Sequence, residues 1–175
     1  VENLYGVESD GTKAEKQNLL PLGFSITYRK NRPFPHTLHL VPKTVVLGIG
    51  CKRGTEAESI RALIRETLEQ NQIFKESICL IASIDLKKDE EGIRICAEEL
   101  GVPFVTWSAE ELEQVRSEDG FTESAFVRSV AGVGNVCERS ALKGAGTSRL
   151  LIRKTAHNGV TVAAAVKDYT VCMED

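Results

Sequence analysis

The feature that most constrains this chain is an alternation, from Thr44 onward, of short continuous apolar runs with amphipathic segments. Val45 to Ile49, closed by Gly50, has the pattern of a strand covered on both faces. Ala57, Ile60, Leu63, Ile64 and Leu68 follow at helical spacing, which buries one face of a helix. Thr55-Glu56-Ala57-Glu58 fits a capping box at its start. Ile78 to Ile84 is a second buried strand, after which Ile93, Cys96, Ala97 and Leu100 repeat on one helical face until Gly101 and Pro103 stop the helix. Val102 to Thr106 forms a third strand. Two strand-helix-strand units in succession require right-handed crossovers and a parallel sheet with helices on its faces, so the fold class is α/β.

The last third departs from this plan. Residues 116 to 124 are polar and read as a loop, and Asn135 to Ala145 as a helix rich in small residues. Leu150 to Lys154 and Val160 to Val166 flank His157-Asn158-Gly159, and Asn-Gly between apolar runs is a strong hairpin signal. The sheet is therefore expected to be mixed but mostly parallel, with a C-terminal β-hairpin.

Residues 1 to 43 read differently. They hold Pro21, Pro33, Pro35 and Pro42, a net charge of +2 and one convincing strand pattern, Phe24 to Tyr28, so they are expected to be the tail of an upstream region or linker. Residues 44 to 175 form the domain proper and carry the acidic excess that brings the whole chain to −3.

That balance, with 42% hydrophobic and only 6% aromatic residues, describes a globular chain and argues against nucleic acid as a partner. No apolar run approaches the roughly 18–20 residues a membrane span requires, and no basic-then-apolar signal opens the chain; the expectation is a soluble cytoplasmic protein without a membrane partner. The five cysteines, Cys51, Cys79, Cys96, Cys137 and Cys172, include no CxxC, and His36, His39 and His157 lie outside the main strand ends, so neither a metal site nor a cofactor is expected.

Ligands of open α/β sheets bind beyond the carboxyl ends of the strands. The first such turn, Gly50-Cys51-Lys52-Arg53-Gly54-Thr55, combines two glycines, two cations and a helix N-terminus, which suits an anion; the same residues also make an ordinary capped turn. It matches neither a phosphate loop nor GxGxxG, which leaves nucleotide binding with little support. The second turn, Asp85-Leu86-Lys87-Lys88-Asp89-Glu90, is brought near the first by parallel strands, so Lys52, Arg53, Lys87 and Lys88 can converge there with the carboxylates of Asp85 and Glu90; a solvated helix start is the alternative. The third candidate is Gly132-Val133-Gly134-Asn135-Val136-Cys137-Glu138, where Asn135 caps a helix and Glu138 stands at N3, either as a cap or as an acid or base.

These turns also carry a family resemblance. VVLGIGCKRGT (Val45 to Thr55), SIDLKKDEEGI (Ser83 to Ile93), GVGNVCERSAL (Gly132 to Leu142) and the closing LLIRK…GVTVAAAV resemble the C-terminal domain of the CobE/CbiG family over about residues 44 to 167. Thr37-Leu38-His39-Leu40-Val41-Pro42 resembles the end of the region preceding that domain. The resemblance implies a three-layer α/β/α sandwich belonging to a cobalt-precorrin-5A hydrolase of anaerobic cobalamin biosynthesis, which opens a δ-lactone and releases acetaldehyde. It implies as partners a carboxylate-rich cobalt-corrinoid or precorrin intermediate and the N-terminal region of the same protein, with cobalt arriving inside the macrocycle. Gly50, Cys51, Lys52, Arg53, Gly54, Thr55, Lys87, Lys88, Gly134 and Asn135 would then bind substrate. Asp85, Glu90 and Glu138 are the candidates for the base, and the Gly50 to Thr55 amides for the oxyanion. Where the family more often has Ala-Ala after the Glu, this chain has Arg139-Ser140-Ala141, which alters packing or adds an anion contact. The alternative is a non-catalytic carrier of corrinoid intermediates.

Overall fold

The computed structural model describes residues 22–171. Two strands come first, β1 (Leu22–Ile26) and β2 (His36–Leu40). The main unit then runs β3 (Val45–Cys51), α1 (Ala57–Gln70), β4 (Ile78–Ile84), α2 (Glu91–Leu100), β5 (Phe104–Trp107), α3 (Ala109–Glu113), α4 (Ala125–Ala131), α5 (Cys137–Ala145), β6 (Leu150–His157) and β7 (Val160–Val166).

Its five-stranded sheet has the order β5-β4-β3-β7-β6. β3, β4 and β5 are parallel, as the two crossover units require. β7 inserts antiparallel beside β3 and pairs with β6 as a hairpin, so only β7 opposes the common strand direction. The Asn158-Gly159 turn has φ of +48° and +81°, the left-handed pair that a two-residue hairpin demands.

β3 shows how the layers are built. Val45, Leu47 and Ile49 point to the face covered by α1 and α2, joining Ile60, Leu63, Ile64, Ile93 and Ala97 in one core. Val46 and Gly48 point to the opposite face, where α5 lies against β3, β7 and β4. A Cβ on Gly48 would sit 1.8 Å from the Cys137 carbonyl oxygen, so glycine there is what lets α5 rest on the strand. The result is a three-layer α/β/α sandwich, as expected.

Several local expectations are corrected. The capping box at Thr55–Glu58 does not form: the Thr55 hydroxyl donates to the Lys52 carbonyl, 2.7 Å away, and closes the turn, so α1 begins at Ala57 and Glu56 makes no side-chain cap. A reciprocal box caps α3 instead, with the Glu111 amide donating to Ser108 Oγ and the Ser108 amide to Glu111 Oε2. The third strand starts at Phe104 because the Val102 amide is used to close α2 on the Ala97 carbonyl. The strand expected at Phe24 to Tyr28 ends at Ile26 and has a parallel partner, β2, in the proline-punctuated stretch where none was expected. Pro21 and Cys172 lie outside the described residues.

Residues after β1 tie this ladder to the end of α1. The Phe74 amide donates to the Tyr28 carbonyl at 2.9 Å, the Lys30 amide to the Gln72 carbonyl at 2.6 Å, and Tyr28 packs against the main core. No helix among the described residues is long and apolar enough to cross a membrane.

Candidate functional site

A cleft of about 640 Å³ opens at the carboxyl ends of β3 and β4. Parallel pairing places the turns after these strands side by side, and Ser83 Oγ locks the strand ends by donating to the Ile49 carbonyl at 2.7 Å. The β6–β7 turn arrives at the same end because β7 runs backward beside β3; the Lys52 amide donates to the Gly159 carbonyl at 3.2 Å. α4 closes the remaining side.

Of the residues expected to bind, Gly50, Cys51, Lys52, Arg53, Lys87 and Asn135 line this cleft. Lys154 from β6 joins them, so four cations surround the opening, and among the described residues that line it none is Asp or Glu. The opposing wall is apolar, formed by Leu86 and by Phe126, Val127, Val130 and Ala131 of α4. Val127 and Ala131 pack inward on Ile84, Leu112, Val133 and Val136, while Phe126 and Val130 remain exposed.

The other expected residues serve the frame. Glu90 is buried, its Oε1 accepting from the Gly54 amide at 2.6 Å and its Oε2 from Lys87 Nζ at 3.3 Å. It fastens the second turn to the first and occupies the Gly54 amide that was assigned to an oxyanion. Asp85 turns toward β5, where Thr106 Oγ1 donates to its Oδ1 at 2.7 Å, and Lys88 is exposed off the cleft. Gly54, Thr55 and Gly134 do not line it; Gly134 is covered by Glu123.

Glu138 is wholly buried. Its Oε1 accepts from the Lys154 amide (2.8 Å) and Thr122 Oγ1 (3.2 Å), its Oε2 from the Thr122 amide (2.9 Å) and Asn135 Nδ2 (2.7 Å). That uses the full accepting capacity of a carboxylate. Asn135 Oδ1 in turn accepts from the Glu138 amide at 2.9 Å, but α5 starts at Cys137 with Val136 at its N-cap, so Asn135 stands one residue ahead of the cap position it was expected to fill, Glu138 is at N2, and its carboxylate reaches the Asn side chain. Arg139 lies over the Phe121 ring at 4.0 Å, donates to the carbonyls of Leu112, Glu113 and Val115, and pairs with Glu123 Oε1 at 2.9 Å, so its charge is taken up within the fold.

Two thiols face the cleft. Burial raises both Cys51 and Cys137, the latter to about 11, so neither is a thiolate at neutral pH. Cys96, under α1, is likewise pushed up by burial to about 11. Folded-state values above the ordinary 9.0 mean that these thiols favour the fold up to about pH 9 and that this contribution is lost as pH climbs toward 11. The denaturation midpoint is expected to fall over that window, and Cys137→Ala to flatten the fall.

The contributions of α4 and Lys154 escaped the sequence reading. Phe126, Val127, Val130 and Ala131 following Ser124 carry a short helical pattern with its N-cap, so a signal existed for α4. Lys154 depends on the strand order, which has no local signature.

The geometry is thus that of an α/β/α domain with a cation-rimmed cleft and an apolar wall at its strand ends. The chain belongs to the family described as Cobalamin synthesis G C-terminus, which matches residues 45–165. It is 34% identical over 128 residues to the cobalt-precorrin-5A hydrolase of Priestia megaterium and 38% identical over 134 residues to that of Salmonella typhimurium. These matches cover 73% and 77% of this chain but only 33% and 37% of those relatives, so the chain spans about a third of their length. Protein CobE of Sinorhizobium sp is 34% identical over 108 residues, 62% of this chain and 70% of CobE.

Among solved structures, CobE, a protein from the cobalamin (vitamin B12) biosynthetic pathway, aligns with a TM-score of 0.65 and 32% identity over 71% of this chain and 91% of that one. A cobalamin biosynthesis protein G homolog from Sulfolobus solfataricus aligns with a TM-score of 0.58 and 26% identity over 94% of this chain and 50% of that one.

Proposed function

We propose that this chain is the corrinoid-binding C-terminal portion of a cobalt-precorrin-5A hydrolase. The observation that carries this reading is the cleft itself: Lys52, Arg53, Lys87 and Lys154 stand around an opening whose far wall is Leu86, Phe126 and Val130. A cobalt-precorrin is a broad macrocycle with apolar faces and a fringe of acetate and propionate carboxylates. Its ring would lie against α4 and its carboxylates would meet the cations. Cobalt belongs to this substrate.

Opening a lactone with water requires a base, and release of acetaldehyde follows from the opened form. Both Glu90 oxygens and both Glu138 oxygens are engaged within the fold, and Asp85 faces β5. The cleft thus supplies recognition, and the base comes to the bound substrate from the N-terminal region that the longer hydrolases possess.

Arg53→Ala combined with Lys87→Ala is expected to weaken binding of a corrinoid bearing free carboxylates by roughly tenfold at low salt, at about 0.5–1 kcal/mol for each cation removed, with the difference shrinking as salt rises. Equal affinity of variant and parent in a spectrophotometric titration would remove the cleft as the binding site. Acetaldehyde release from cobalt-precorrin-5A is expected when the N-terminal region is supplied and not from this chain alone; turnover by the chain alone would return the base to one of its own carboxylates.

A further inference from the structure

The β1/β2 ladder carries its apolar side chains on the wrong side for a free surface. In its register Phe24 lies opposite Leu38 and Ile26 opposite Leu40. Gly23, Ser25, Thr37 and His39 are half-buried, and His39 meets the ring of Phe74. Leu22, Phe24, Leu38 and Leu40 point outward, 80%, 54%, 62% and 48% exposed. A strand pair that turns small and polar residues inward and large apolar ones outward has its second core elsewhere.

The topology says the same. Parallel strands occur almost only where both faces of the sheet are covered, and two strands alone are marginal. Among the described residues neither β1 nor β2 has another neighbour. Yet the ladder is anchored, through the Tyr28–Phe74 and Lys30–Gln72 hydrogen bonds and the Arg29–Ile73 bridge, to the turn that ends α1.

The relatives indicate what covers it. The alignment with the longer Sulfolobus solfataricus protein takes in 94% of this chain, which leaves too few residues to omit the ladder, and uses only half of that protein. The alignment with CobE uses 91% of CobE but only 71% of this chain, about the extent of residues 45–165. The ladder therefore accompanies the longer architecture. We propose that the outward face of β1/β2, centred on Phe24 and Leu38, is the docking surface for the region preceding this domain in the longer hydrolases.

The probe is the part of the Salmonella typhimurium relative that lies ahead of its 134 matched residues, titrated into this chain by calorimetry and followed by sedimentation. A one-to-one complex is expected. Phe24→Glu with Leu38→Glu should weaken it by roughly tenfold or more, as loss of central apolar anchors does, while the chain's own thermal midpoint stays unchanged. Undiminished affinity of the double variant, or no complex with the parent chain, overturns the proposal. A self-dimer dissolved by the double variant would give the face to a second copy. A midpoint lowered by the double variant only when residues 1–21 are present would give it to that segment.

Discussion

Glu138→Ala is expected to destabilise the domain by about 3 kcal/mol or more, because it strands several buried donors at roughly 1–3 kcal/mol each. Those donors are the amides of Thr122 and Lys154, the Thr122 hydroxyl and the Asn135 side-chain amide. They come from three parts of the fold around the cleft: Thr122 from the loop before α4, Lys154 from the hairpin, and Asn135 from the segment entering α5. Loss of stability should therefore come with loss of corrinoid binding even in the fraction that stays folded. Glu138→Gln keeps the shape and one accepting oxygen, and is expected to cost roughly half as much. Denaturant midpoints measured for both variants check this. A Glu138→Ala protein as stable as the parent would mean that the carboxylate is held for chemistry.

Gly48→Ala is expected to have an effect of similar size for a different reason. The added methyl would lie 1.8 Å from the Cys137 carbonyl oxygen and 2.7 Å from the Ala141 amide nitrogen. Both are helix backbone, so no side-chain rotation relieves the contact and α5 must lift from the sheet. Overpacking of this kind costs roughly 1–3 kcal/mol when neighbours can adjust, and more when they cannot. Since Cys137 also lines the cleft, the variant should bind corrinoid poorly after correction for folding. A midpoint within experimental error of the parent would show that α5 does not sit on β3 as described.

The contrast between these residues explains what the chain discloses before folding. Ile78–Ile84 is buried at every position but Cys79 and Asn158-Gly159 imposes its own turn, so both are legible from neighbours in sequence. Gly101 likewise ends α2 at φ +63°. The convergence of the first two turns was legible too, because parallel pairing follows from the crossovers. Glu90, Glu138 and Asp85 were not assignable, since a carboxylate that accepts from distant backbone looks in sequence like one that faces solvent. The cleft's apolar wall was missed although Ser124 and the apolar positions after it carry a helical signal, because α4 is only seven residues long and that signal says nothing of which sheet edge it covers. One of the four rim cations, Lys154, depended on the order of the strands beyond β3, a property of the whole sheet.

The position of β7 between β3 and β6 also fixes when the cleft can come into being. β3 is the first strand of the main sheet to leave the ribosome and β7 the last of its strands, yet the two are neighbours along seven residue pairs. Such a contact closes slowly, after everything between has been made. Gly50 to Arg53 must wait for Lys154 to Thr161 before any pocket exists. A nascent chain stopped short of the hairpin leaves one edge of β3 without its partner and lacks one wall of the cleft, so anything that binds the cleft would do so only after the sheet has closed.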